Sequence, residues 1–140
     1  MPRDLDEIVD RHRPAFSHGP QDPEKGQRGR DHLHGDAGND NLQGGADDDK
    51  VFGGAGVDVM EGNDNSDCLS GGDGNDLIYG DNADGQMTLD EASDKISGGT
   101  GNDTIYAGED DDQVTGDAGN DKICGQSGDD TLSGNDGNDW

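Results

Sequence analysis

Large apolar side chains are scarce in this chain. Leu, Ile, Val and Phe number 19 of 140 residues, and aromatics make up 4%. A highly charged chain with less than roughly 20% of these four residues reads as disordered. Such a composition does not build an ordinary core against chain entropy. Cysteine is nearly absent: Cys68 and Cys124 allow at most one bridge. Basic residues are few, nine Lys and Arg against 34 Asp and Glu, for a formal charge of −25. That sign excludes phosphate, so neither nucleic acid nor an anionic membrane is an expected partner. No apolar run approaches the ~18 residues of a membrane-spanning helix, so no membrane insertion is expected. Met1 to Lys25 lacks the apolar core of a cleavable signal peptide. Either the chain stays unfolded or something external stabilises it, and the acid surplus points to cations.

What the chain does have is glycine, aspartate and a period. Written from Gly26 in rows of nine, it fills twelve rows without a gap, through Leu132 and Ser133, and a partial row ends at Trp140. The sixth column reads Asp31, Asp40, Asp49, Asp58, Asp67, Asp76, Gly85, Asp94, Asp103, Asp112, Asp121, Asp130 and Asp139. The eighth reads Leu33, Leu42, Val51, Met60, Leu69, Ile78, Met87, Ile96, Ile105, Val114, Ile123 and Leu132. An apolar residue in every eighth position of a mostly polar chain marks a repeat architecture.

The rows resemble the RTX, or hemolysin-type, calcium-binding repeat, whose consensus is G-G-x-G-x-D-x-U-x with U a large apolar residue. The rows from Gly71 and Gly98 match it at every fixed position, and the resemblance covers residues 26–140. It implies an all-β fold, a parallel β-roll, with calcium held between adjacent turns by the sixth-column aspartates and turn carbonyls. It also implies a secreted, extracellular protein that folds where calcium is plentiful.

The residues support this independently. Glycine in columns one, two and four permits positive φ and close backbone approach. The x-U-x triplet suits a short strand with U on one face. Two rows then make one coil of eighteen residues, a two-sheet β-solenoid. Six coils stacked at ~4.8 Å span roughly 29 Å. Odd rows put Leu33, Val51, Leu69, Met87, Ile105 and Ile123 on one sheet; even rows put Leu42, Met60, Ile78, Ile96, Val114 and Leu132 on the other. The turns stack likewise. One ladder runs Asp40, Asp58, Asp76, Asp94, Asp112, Asp130. The other runs Asp31, Asp49, Asp67, Asp103, Asp121, Asp139 and is interrupted at Gly85, with Asp31 and Asp139 each lacking one neighbour.

Carboxylates at strand spacing repel unless a cation lies between them. Carboxylate and carbonyl oxygens in a flexible cage suit Ca²⁺ rather than Zn²⁺ or Mg²⁺. Residues 26–140 carry 28 acids and 5 bases, a balance of −23. About ten calcium ions would nearly neutralise that region. Binding and folding are therefore expected to be one event.

Three places fall outside the pattern. Residues 80–97 are irregular: Gly85 replaces an aspartate and Leu89 a leading glycine. They are a degenerate coil, a nine-residue insertion, or an EF-hand-like loop over Gly80–Glu91 with Asn82, Asp84, Gly85, Met87 and Glu91 at matching positions. The cysteines, in rows five and eleven, are expected on one sheet ~14 Å apart, too far for a bridge. Residues 1–25 form a separate, partly disordered segment, with a short helix over Asp4–Arg13 and a linker around Pro20 and Pro23. The scattered histidines, His12, His18, His32 and His34, form no zinc motif.

No nucleophile–base pair, phosphate loop or carboxylate dyad is visible, so the chain is not expected to be an enzyme. It reads as a calcium-dependent structural module. The alternatives are a piece of a larger secreted protease, lipase, epimerase or cytolysin, suggested by the chain stopping inside a repeat, or an adhesion or matrix protein.

Overall fold

The structure is a computed structural model that describes residues 24–26, 28–81 and 92–140. Every regular element among them is a strand. In chain order these are β1 (Glu24–Lys25), β2 (His32–Ala37), β3 (Asn41–Ala46), β4 (Lys50–Ala55), β5 (Val59–Asp64) and β6 (Cys68–Asp73). Then follow β7 (Leu77–Tyr79), β8 (Lys95–Thr100), β9 (Thr104–Gly108), β10 (Gln113–Ala118), β11 (Lys122–Gln126) and β12 (Thr131–Asp136). Odd strands form one six-stranded sheet in the order β1-β3-β5-β7-β9-β11. Even strands form the other, β2 to β12. All pairings are parallel. The chain is thus a two-sheet parallel solenoid of about five turns, with six strands in each sheet.

Each full strand is longer than x-U-x. It begins at column seven and continues through the next row's leading glycines, as in Lys50–Ala55. Along it the side chains alternate, so column eight is buried and columns seven and nine face outward. Leu42, Val51, Met60, Leu69, Ile78, Ile96, Ile105, Ala107 and Val114 make the core, one large side chain per strand. Leu33 and Ile123 pack against its ends, while Leu132 on the terminal strand is 45% exposed. Outside, column-nine rings stack from coil to coil: His34 on Phe52 at 4.8 Å and Tyr79 on Tyr106 at 5.4 Å.

The register overturns the expected assignment beyond Tyr79. Leu33, Val51 and Leu69 continue directly into Ile96, Val114 and Leu132. Leu42, Met60 and Ile78 continue into Ile105 and Ile123. The sheets therefore exchange their members after row six, and Met87 lies outside the described residues. The step between coils is eighteen residues everywhere except at this seam, where Cys68 pairs with Lys95 and Leu77 with Thr104, a step of 27. Nine extra residues are inserted, and Gly80 serves as the leading glycine of the turn that ends in Asp94, whose Oδ2 lies 2.4 Å from where a Gly80 Cβ would sit. The EF-hand-like positions from Asn82 to Glu91 fall outside the described residues, as do the expected helix over Asp4–Arg13 and its linker.

The exchange also moves the cysteines. Cys68 lies on β6 and Cys124 on β11, so they are on opposite sheets rather than one, and both are free thiols. The glycines divide into two kinds. Columns two and four adopt positive φ, as at Gly72 and Gly74 (108° and 138°). Column one does not, contrary to expectation. At Gly44, Gly53, Gly62, Gly71 and Gly98 a side chain would instead strike the next coil's carbonyl and the aspartate of its own row; Ala107 is the described exception in this column.

Candidate metal centre

The turn between strands ends at the column-six aspartate, whose backbone still follows the ladder. Its carbonyl accepts the N–H of column seven in the next coil, as in Lys50 to Asp31 at 2.9 Å. Its side chain turns inward beneath the leading glycine of its own row. Asp49, Asp58, Asp67, Asp76, Asp94, Asp103, Asp112 and Asp121 are all buried, at 4% exposure or less. Eight buried carboxylates in a chain this poor in apolar residues need a compensating partner.

They form two continuous ladders. One is Asp31, Asp49, Asp67, Asp94, Asp112, Asp130; the other is Asp40, Asp58, Asp76, Asp103, Asp121, Asp139. In each, the backbone N–H of one aspartate donates to Oδ1 of the next coil's aspartate, at 2.8–3.1 Å over ten rungs. The expected break at Gly85 does not occur, because Asp67 donates straight to Asp94 across the 27-residue step. The end residues Asp31 and Asp139 join as donor and acceptor.

In eight of these carboxylates the second oxygen is left over. Oδ2 of Asp40, Asp49, Asp58, Asp67, Asp76, Asp103, Asp112 and Asp121 is buried with no hydrogen-bond partner. Those of Asp40, Asp49, Asp58, Asp67, Asp76 and Asp103 point at the leading glycine of their row, where the next coil's carbonyl also arrives; Asp121 points at Gly116, and the row of Asp112 leads with Ala107 instead of glycine. A Cβ built on Gly71 would meet Asp76 Oδ2 and the Gly98 carbonyl oxygen, both at 2.4 Å. At Gly62 the same two contacts, from Asp67 and Gly80, are both 2.3 Å. Two oxygens of one calcium shell lie at most about 5 Å apart, twice the Ca–O distance. Carboxylate and carbonyl oxygens converging on one glycine satisfy that limit. Among the described residues no three His, Cys, Asp or Glu side chains form a group by themselves. The remaining oxygens of a shell must therefore come from turn carbonyls and water, as a hard, flexible cation accepts. The residues present fit calcium.

Burial drives the carboxyls toward their protonated form. It pushes Asp49 up to about 6, Asp67 to about 8, Asp103 to about 6 and Asp112 to about 7. Charge from ladder neighbours adds to burial, and the donated N–H opposes it. Asp40, Asp58 and Asp76 are raised for the same leading reason. A divalent cation at these oxygens would reverse the effect.

A second ladder, in column five, was not anticipated. The N–H groups of Val57, Asn102, Asn120 and Asn138 donate to Oδ1 of Asn39, Asn75, Asn102 and Asn120 at 2.7–3.0 Å. It braces the solvent side of the stack that contains Asp40. The Gly-Asn-Asp triplets recurring in alternate rows were its signal.

A comparison with protein families matches four copies of the RTX calcium-binding nonapeptide repeat, at residues 26–60, 61–84, 90–123 and 125–140. A comparison with curated proteins gives no match. The repeat, the parallel solenoid and the stacked aspartates agree, and the chain belongs to the family of RTX calcium-binding nonapeptide repeats.

Proposed function

We propose that the chain is an extracellular structural module that folds by taking up several calcium ions, one between each pair of stacked turns. The observation that carries this is the set of eight buried Oδ2 atoms without a partner. A solenoid whose core is one large side chain per strand does not offset the burial of that many carboxylates. A cation between coils satisfies the orphaned oxygens and joins the coils at once. Ten rungs give room for up to ten ions, in line with the acid surplus of residues 26–140. The ligands proposed are Asp40, Asp49, Asp58, Asp67, Asp76, Asp94, Asp103, Asp112, Asp121 and Asp130, with Asp31 and Asp139 at the ends. RTX repeats are typical of secreted proteins, and calcium-coupled folding suits a chain that meets the ion only outside the cell. No catalytic role is proposed, because each buried carboxylate is one of a repeated set and none is singled out by a base or nucleophile.

The test is a calcium titration of the full chain, with bound ions counted by equilibrium dialysis and strand content followed by circular dichroism. Several bound ions and a calcium-dependent gain of β signal are expected. Identical spectra in chelator and in millimolar calcium, with no bound ion, would overturn the proposal.

A further inference from the structure

The two aspartate ladders share a backbone but not a setting. On the stack from Asp40 to Asp139, column four is glycine in every turn, and column five is asparagine in all but one. Each turn there carries one carboxylate in columns four to six. Four of its asparagine Oδ1 atoms accept column-five N–H groups of the next coil, as Asp111 Oδ1 accepts that of Asp129 on the other stack. On the stack from Asp31 to Asp130 two turns read Asp47-Asp48-Asp49 and Asp110-Asp111-Asp112, with Asp129-Asp130 in the coil after the second, while the turns ending at Asp31, Asp67 and Asp94 keep one carboxylate in these columns. Asp47 and Asp110 hold the same positive-φ position that glycine holds opposite, at 82° and 71°. The turn geometry is therefore kept while carboxylates are added.

These added groups act on the buried ones. Asp47 and Asp48 repel the Asp49 carboxylate, and Asp110 and Asp81 repel that of Asp112. Asp49 and Asp112 are themselves 2% and 1% exposed, each with Oδ2 lacking a partner. On the opposite stack Asp58 is repelled by its ladder neighbours Asp76 and Asp40, while Asp40 and Asp103 each also meet one column-two carboxylate, Asp36 and Asp117, rather than a carboxylate of the turn itself. Arg30 pairs with Asp48 and offsets part of the first cluster. No such cation is paired with Asp110 or Asp111 among the described residues.

We propose that the calcium sites fall into two affinity classes, the tighter class lying at the acidic turns of the Asp31–Asp130 stack, Asp47–Asp49 and Asp110–Asp112, and strongest around Asp112. This rests on the calcium reading above. A carboxylate one turn's width from a divalent ion raises its affinity about two- to fivefold, between the salt-screened and unscreened limits. Two or three such groups together separate the classes by about tenfold. The roll then holds calcium at the acidic turns at concentrations where the other turns are emptying. That makes the Gly-Asn-Asp turns ones that respond to changes in calcium.

The experiment starts from the calcium-loaded chain and lowers free calcium in steps, counting retained ions while following circular dichroism. Two steps of ion loss are expected, about tenfold apart. Asp47→Asn, Asp48→Asn, Asp110→Asn and Asp111→Asn together keep the acceptor oxygens and should bring the tight step down onto the weak one. Asn120→Asp with Asn138→Asp should shift part of the weak step toward the tight one. A single step in the unaltered chain, or two steps that neither set moves, overturns the proposal. Retention of no ion at any concentration would instead sink the calcium reading itself.

Discussion

Asp67→Asn should change the stability of the roll in opposite directions with and without calcium. Asp67 is 3% exposed. Its Oδ1 accepts the Asp49 N–H at 2.8 Å, and its Oδ2 has no partner. Asparagine keeps the acceptor and replaces the orphaned oxygen by an amide that carries no charge and faces the same side as the Gly80 carbonyl. Without metal, removing a buried, half-satisfied carboxylate stabilises by about 2 kcal/mol. The effect is largest above pH 8, where the carboxyl, pushed up to about 8, is ionised. With calcium at about a hundredfold its dissociation constant, loss of one ion costs about 2.7 kcal/mol. For a domain of this size that lowers the melting midpoint by roughly 10 °C. The assay is circular dichroism at pH 9. Thermal melting serves in calcium, and the concentration of a stabilising osmolyte needed to fold the chain serves in chelator. The variant should melt earlier in calcium and fold at lower osmolyte in chelator. Loss of stability in both conditions would refute the reasoning, since the carboxylate would then be stabilising the metal-free roll through contacts of its own.

Three further outcomes are expected. In calcium-free buffer, acid should fold the chain. The raised aspartates hold their protons in the folded state and lose them in the unfolded one, so stability is full below about 3.8 and is lost as pH rises through 6 to 8. A β signal that grows on going from pH 5 to pH 8 would contradict this. Val57→Asn should stabilise by about 1 kcal/mol in urea unfolding of the calcium-bound chain. Val57 is 49% exposed and interrupts the column-five ladder, offering no acceptor to the coil of Asn75; an unchanged or lower midpoint would show that the ladder contributes nothing. Deleting residues 83–91 should leave calcium-dependent folding intact and move the midpoint by less than about 1 kcal/mol, because it restores the eighteen-residue step between Asp67 and Asp94 and changes only the length of chain joining coils already stacked. Loss of folding would mean that the inserted residues are part of the roll.

The fold was legible because its two constraints sit in single columns. A large apolar residue at column eight and an aspartate at column six recur wherever a coil is built, and burial in the structure follows those columns from Leu42 to Val114. The strand's extension into columns one to three was not legible, because glycines such as Gly53 and Gly54 carry no side chain from which alternation can be seen. Their inward and outward roles appear only when the next coil's carbonyl is placed against them. The identity of the ladders was lost for a more general reason. A coil is eighteen residues and a row is nine, so an insertion of nine keeps every column in phase while moving all later rows to the opposite sheet. The pattern from Lys95 onward looks unbroken in sequence, yet Ile96 pairs with Leu69 rather than with Ile78. Column periodicity is blind to insertions of one row, and only register between coils detects them. The same blindness hid the difference between the edges. With rows assigned to the wrong side, the acidic turn at Asp110–Asp112 is placed among the Gly-Asn-Asp turns, and the separation of acid to one stack disappears. Parity across residues 82–91 is therefore what decides which aspartates share an ion, and the 27-residue step from Asp67 to Asp94 sets it.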